Sequence, residues 1–204
     1  MAGMNALIAR VMEWPPVYRL WMAPFAEQKL RPIRAHTDLT RVRRVLDVGC
    51  GPGTNTALFS GSDYLGIDIN ESYIESARRR HRRTFVAADV TTYRVGDHER
   101  FDLILVNSLL HHLDDSSTVR LLEHLSRLLT DDGRVHVLEL VLPDSPSAAR
   151  FLARHDRGKF ARPLDGWSAL LGSVLDPVLM EPYGVGLPGV TLWNMVYFMG
   201  RTKK

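Results

Sequence analysis

Cysteine is almost missing from this sequence. The single Cys50 excludes an internal disulfide, so nothing in the chain requires an oxidising compartment. Long apolar runs are missing too: the longest are a handful of residues, far short of the roughly 20 that span a bilayer. Excess charge of one sign is small. A formal net charge of +3 is compatible with an anionic partner but too weak to argue for one. No repeat or low-complexity tract is present. The first residues lack a basic leader before an apolar core, and Trp14-Pro15-Pro16 interrupts what apolar run there is, so no secretory signal is expected. Gly3 does not stand at position two and no prenylation box closes the sequence, so no lipid anchor is expected either. A cytoplasmic location is the resulting expectation. With 204 residues, 45% hydrophobic and 24% charged, the chain fits one globular domain, and disorder, collagen and coiled coil are excluded as its main state.

Within 1–204 read as one domain, three zones appear. Residues 1–40 read as helix in two pieces broken at Pro15-Pro16. Residues 42–140 alternate β-rich runs (Val42–Val48, Tyr64–Ile69, Phe85–Ala88, Phe101–Val106, Arg134–Leu140) with helical patterns (Thr54–Phe59, Glu71–His81, Ser116–Leu129). Val119, Leu122, Leu125 and Leu129 fall on one face of the last helical pattern, and Thr130-Asp131-Asp132-Gly133 reads as the turn that ends it. Residues 141–204 carry one more helix, then strand-like runs Glu181–Val185 and Leu192–Met199 joined by a glycine-rich hairpin. Strand–helix alternation of this kind predicts an α/β fold: a mostly parallel sheet with helices on both faces.

The most informative stretch is Val45-Leu46-Asp47-Val48-Gly49-Cys50-Gly51-Pro52-Gly53-Thr54. A strand runs into three alternating glycines and a predicted helix. Glycines permit a tight turn and let a ligand approach the backbone, whose N–H groups favour an anionic group. The spacing is neither the dinucleotide G-x-G-x-x-G nor a Walker loop. Asp68, 19 positions after Gly49, ends the next predicted strand; an acid there can accept both hydroxyls of a ribose. Asp89 ends the third, placed to accept from an adenine amino group. Taken alone, an aspartate at a strand end also reads as a helix cap or loop solvator.

The series VLDVGCGPGTNT, GIDIN, AADV, FDLILVNSLLHHL and LLTDDGRVHVLEL, in that order and spacing, resembles the motif series of class I S-adenosylmethionine-dependent methyltransferases. The resemblance covers residues 42–140. It implies a Rossmann-like seven-stranded sheet with a reversed last strand, and S-adenosylmethionine as cofactor. It further implies that Gly49, Gly51 and Gly53 pack on the methionine part and that Asp47 bonds its amino group. Asp68 would hold the ribose, Ile69 flank the adenine, and Asp89 with Val90 read the adenine edge. The Asn107 backbone carbonyl would face the amino end near the sulfonium, with Thr54 and Asn55 lining the same site.

Methyl transfer from a sulfonium is an in-line displacement, so the protein mainly aligns the reactants. A general base is needed only for an acceptor that must lose a proton. His111 and His112 follow the fourth predicted strand, where they either face the acceptor or cap the next turn. His155, Asp156 and Arg157 lie after a predicted helix, either gripping an anionic or sugar-like acceptor or forming a salt-bridged helix end. Tyr18 and Trp21, with Met22 and Phe25, read as a lid over the acceptor or as core. No residue is assigned to a metal. The run Arg78–Arg83 reads as a solvated helix end, with nucleic-acid docking as the alternative. The leading expectation is methylation of a small molecule. RNA or protein methylation, and a non-catalytic cofactor-binding role, are the alternatives; oligomeric state is not specified.

Overall fold

The computed structural model describes residues 25–96, 99–156 and 158–203. Its strands are β1 (Arg44–Val48), β2 (Asp63–Asp68), β3 (Thr84–Ala87), β4 (Phe101–Asn107), β5 (Leu129–Leu140), β6 (Leu175–Leu187) and β7 (Val190–Thr202). Its helices are α1 (Ala26–His36), α2 (Glu71–Arg80), α3 (Asp115–Ser126), α4 (Ala148–His155) and α5 (Leu164–Val174). The strands form one sheet in the order β3-β2-β1-β4-β5-β7-β6. β1 to β5 pair in parallel, and β7 runs antiparallel to both β5 and β6. The expected reversed last strand is therefore present.

Burial explains why the central strands are apolar on both sides. Val45 to Val48 are all buried, as befits a parallel strand covered on two faces. Alternate side chains enter opposite cores: Val45 joins Ile33 of α1 and Ile74 of α2, whereas Leu46 joins Leu122 of α3 and Trp167 of α5. The helices start where the sequence offers caps. Asn70 accepts from the Ser72 and Tyr73 N–H groups, and Asp114 from that of Ser117.

Several sequence expectations need correction. Thr54–Phe59 does not form an α-helix: the glycine loop continues in turns and only Thr56–Phe59 winds, as a short 3₁₀ segment. The positive-φ turns at Gly49, Gly51 and Gly53 (φ 72°, 54° and 79°), with Pro52 among them, take up the first part of the connection between β1 and β2. Any anion preference of this loop thus rests on its own amides, without a helix dipole behind them. Thr130–Gly133 is a bulge inside β5, because Phe101 pairs with Leu129 but Leu103 with Arg134. Leu129 consequently belongs to the strand, and α3 buries Thr118, Leu121, Leu122 and Leu125 instead. The C-terminal zone holds two helices. α5 escapes a periodicity reading because Gly166 and Gly172 dilute it, yet it buries Trp167 and Leu171 at i,i+4. β6 begins at Leu175, earlier than expected. Pro177 and Pro182 mask it, and both are tolerated because β6 is an edge strand.

The chain order reverses between β1 and β4, which lie side by side although β2 and β3 intervene in sequence. In open α/β sheets the crevice beyond the carboxyl ends of the strands at such a point is where ligands bind.

Candidate functional site

Gly49 and Asn107 stand at the carboxyl ends of the two strands flanking that crevice. Gly49, Gly51 and Gly53 have φ of 72°, 54° and 79°, conformations an L side chain rarely adopts. No atom would lie within 4 Å of a Cβ on Gly51, so the crest of the loop is open. The Gly51 N–H donates to Asp68 Oδ2 at 2.8 Å and the Asn70 N–H to Asp68 Oδ1 at 2.8 Å. These bonds fix the Asp68 carboxylate against the loop and leave each oxygen a further lone pair. Ile69 is 74% exposed, an apolar side chain with a face to cover. Asp89 is exposed, its Oδ1 accepting from the N–H and hydroxyl of Thr91, so one oxygen is engaged in a local turn. Val90 is half-buried against the core, and Thr54 is exposed.

Beneath the loop runs a polar relay. Tyr64 OH donates to Asp47 Oδ2 at 2.5 Å, and Asn55 Nδ2 donates to the same oxygen at 3.1 Å. Because Asn55 turns its amide nitrogen to Asp47, its Oδ1 accepts from Asn107 Nδ2 at 3.1 Å. Asn107 Oδ1 is then left buried, with no protein partner among the described residues. Burial pushes the Asp47 carboxyl up to about 6, against the Tyr64 and Asn55 bonds that favour its ionised form.

Beyond β4 the chain turns sharply. Ser108 has φ 55°, and residues Leu110–His112 form a 3₁₀ turn. The fully buried Glu139 of β5 organises this turn. Its Oε1 accepts from the Leu109 and Leu110 N–H groups at 2.8 and 2.6 Å, and its Oε2 faces His111 Nδ1 at 2.7 Å. His111 Nε2 faces Asp156 Oδ1 at 3.1 Å. Burial disfavours the His111 cation, but Glu139 and Asp156 together hold its pKa up to about 9. The segment after α4 lies directly on this histidine. The Phe160 N–H donates to His111 O at 2.9 Å, and a Cβ on Gly158 would stand 1.9 Å from His111 Cδ2. Arg162 anchors the segment by donating to the carbonyls of Phe160 and Leu113 at 2.8 and 2.9 Å and to Asp115. Nearby, the buried Lys29 of α1 donates from Nζ to Ser108 Oγ at 2.6 Å. Burial lowers its pKa to about 8, partly opposed by the charges of Glu139 and Asp156.

The structure therefore gathers His111, His112 and Asp156 from the sequence expectation, while His155 is exposed, its Nδ1 against Phe151 O of its own helix. Tyr18, Trp21 and Arg157, with Met22 and the Pro15-Pro16 break, lie outside the described residues. Phe25 is core, edge-on to Trp193. Lys29, Ser108, Glu139 and Arg162 were missed. Only Glu139 had a signal, a carboxylate in an apolar strand. The arginine run is bound to its own fold: Arg78 donates to Phe85 O, Arg83 to Ser62 O and Arg80 to Pro52 O.

Residues 45–133 match the family model described as a methyltransferase domain. A trans-aconitate 2-methyltransferase of Methylobacterium radiotolerans is 37% identical over 130 residues, covering 59% of this chain and 47% of that protein. One from Delftia acidovorans is 27% identical and covers 92% and 74%. The chain spans about half the length of the first relatives it matches. Among solved structures, the mitomycin 7-O-methyltransferase MmcR superposes with a TM-score of 0.70 at 20% identity, over 87% of this chain and 54% of that one. The N-methyltransferase NodS from Bradyrhizobium japonicum WM9, with S-adenosyl-L-homocysteine, superposes with 0.66 at 18%, over 88% and 86%. At these identities the structures share the fold.

Proposed function

We propose that the chain is a class I S-adenosylmethionine-dependent methyltransferase, a reading supported by the match of residues 45–133 to a methyltransferase domain and by the sheet order, and that it methylates a small carboxylate-bearing acceptor. The observation that carries the cofactor half is the open glycine crest locked to Asp68 at the switch point. The site fits the group on its own terms. Gly51 leaves the approach clear, Asp68 retains acceptor capacity for ribose hydroxyls, and Ile69 offers an apolar face to a base. Asn107 Oδ1, buried and unpartnered, suits the ammonium of an amino acid moiety. Asp47 acts through Asn55, fixing which end of the Asn107 amide faces the ligand.

When bound, S-adenosylmethionine supplies a methyl group already activated on a sulfonium. What this chain's residues do is orient and exclude water. Lys29 places a buried ammonium beside Ser108, the residue that follows Asn107, where it can pair with an anionic acceptor. A carboxylate is ionised at neutral pH and reacts without losing a proton, which agrees with a His111 whose two ring nitrogens both face carboxylates. In this reading His111 holds Asp156, Gly158 and Phe160 over the acceptor side, and His112 lines it. The relatives' name points to the same acceptor class: trans-aconitate is a polycarboxylate.

Two measurements test this. Asp68→Ala should weaken S-adenosylhomocysteine binding at least tenfold in calorimetry; an unchanged affinity rejects the cofactor site. Lys29→Met should raise KM for trans-aconitate at least tenfold while S-adenosylhomocysteine affinity stays within twofold. No turnover of any di- or tricarboxylate by the unaltered protein rejects the acceptor assignment. The engagement of Arg78, Arg80 and Arg83 with backbone carbonyls argues against the nucleic-acid alternative.

A further inference from the structure

Beside this site, ligating atoms of His111, His112 and Asp156 all lie within 4.8 Å of one another. We propose that these three residues bind a divalent transition-metal ion of the zinc type, leaving at least one coordination position open. The proposal rests on side chains outside the glycine crest and does not depend on the cofactor reading.

The argument starts from Glu139. Its carboxylate accepts two backbone N–H bonds and cannot donate, so when His111 is neutral its ring proton sits on Nδ1. That leaves a lone pair on Nε2, facing a carboxylate oxygen 3.1 Å away. Two lone pairs at that distance require a cation between them, either a proton or a metal ion. A histidine whose far nitrogen is held by a buried carboxylate is also the arrangement that orients and strengthens a metal-binding imidazole. The third donor is adjacent. The rings of His111 and His112 lie 4.3 Å apart, centroid to centroid, tilted by 38°, and His112 adds to the field at Asp156.

Two imidazoles and one carboxylate form the donor set of an open zinc-type site, whereas a closed structural site takes four protein ligands. Tetrahedral bonds near 2.1 Å place ligands about 3.4 Å apart, so the widest pair in the cluster would close by up to about 1.4 Å. His112 and Asp156 are exposed enough to rotate, while His111 is fixed. Glu139 and Asp156 contribute two negative charges around the ion, and the Lys29 ammonium is held on Ser108 instead of on either carboxylate. Bound metal would tie the segment after α4 to the turn after β4 and offer its open position to an oxygen donor at the acceptor side.

The test uses untagged, chelator-stripped full-length protein titrated with Co²⁺ under visible absorption and with Zn²⁺ in calorimetry. The expected result is saturable binding of one ion, with the intense visible bands of four- or five-coordinate cobalt. His112→Ala and Asp156→Asn should each weaken Zn²⁺ binding at least tenfold, and His124→Ala should leave it unchanged. Both substituted side chains are exposed, and thermal unfolding confirms that the variants fold. Absence of saturable binding, or binding indifferent to both variants, overturns the site and leaves a proton shared between His111 and Asp156. S-adenosylhomocysteine affinity measured on the same samples keeps this outcome separate from the cofactor reading, since Asp68→Ala should weaken that affinity and His112→Ala and Asp156→Asn should not.

Discussion

Asp47 carries the clearest residue-scale consequence. It is fully buried, and its carboxyl titrates near 6 in the fold, above the ordinary aspartate range, because burial outweighs the Tyr64 and Asn55 bonds. A raised folded-state pKa means the native protein binds the extra proton. The associated stability is present below the unfolded pKa, near 3.9, and is lost as pH rises through 6. Asp47→Asn removes that dependence. The unfolding free energy of Asp47→Asn relative to the unaltered protein should therefore climb by about 2–3 kcal/mol between pH 4 and pH 7, read by urea denaturation. Gly66 is a second case. A Cβ there would stand 2.8 Å from the Phe85 ring and 2.9 Å from Cys50 Sγ. Gly66→Val should lower stability by about 1–3 kcal/mol through overpacking. Cys50 itself is buried, and burial pushes its thiol well above the usual range, so alkylation of the native protein should be slow.

Among elements, the segment of residues 158–162 after α4 packs against the turn that follows β4, beside the proposed acceptor side. Its hold comes mainly from Arg162, which also stacks over Trp167 at 4.7 Å. The ion pair with Asp115 is weak in itself, because that carboxylate is largely exposed. The bonds to the Phe160 and Leu113 carbonyls matter more, since those oxygens lose their donor when the guanidinium goes. Arg162→Ala should cost about 2–4 kcal/mol of stability in denaturant unfolding. Arg162→Lys should recover only part of it, because an ammonium cannot replace a planar fork. The glycine loop behaves differently. It is held by Asp68 from the neighbouring strand and by turns of its own, with no helix behind it.

At the scale of the whole molecule, the sheet order brings the ends of β1, β2 and β4 to one rim, and ligand binding there should stabilise the entire cooperative unit. Saturating S-adenosylhomocysteine at about 100 times its Kd adds about 2.7 kcal/mol, equivalent to about 5–10 °C in Tm for a chain of this size. Asp68→Ala, with affinity at least tenfold weaker, should remove about half of that shift or more at the same ligand concentration in differential scanning fluorimetry. Among the described residues, no helix is long and apolar enough to cross a membrane.

The chain's own pattern determined the parallel core and its ligand rim. Strand runs buried on two faces are continuous in apolar residues, and positive-φ turns favour glycine, so β1, β2, β4, the loop and Asp68 could all be read locally. Elements set by tertiary support could not. α5 is diluted by glycine, β6 is masked by prolines that only an edge strand tolerates, and the 3₁₀ turn at Thr56–Phe59 follows the positive-φ glycines and Pro52 that take up the first part of its connection. The proposed acceptor side is the least local of all. Lys29, His111, Glu139 and Asp156 come from four separate stretches of sequence, and their charges and protons acquire meaning only once burial brings them within bonding distance.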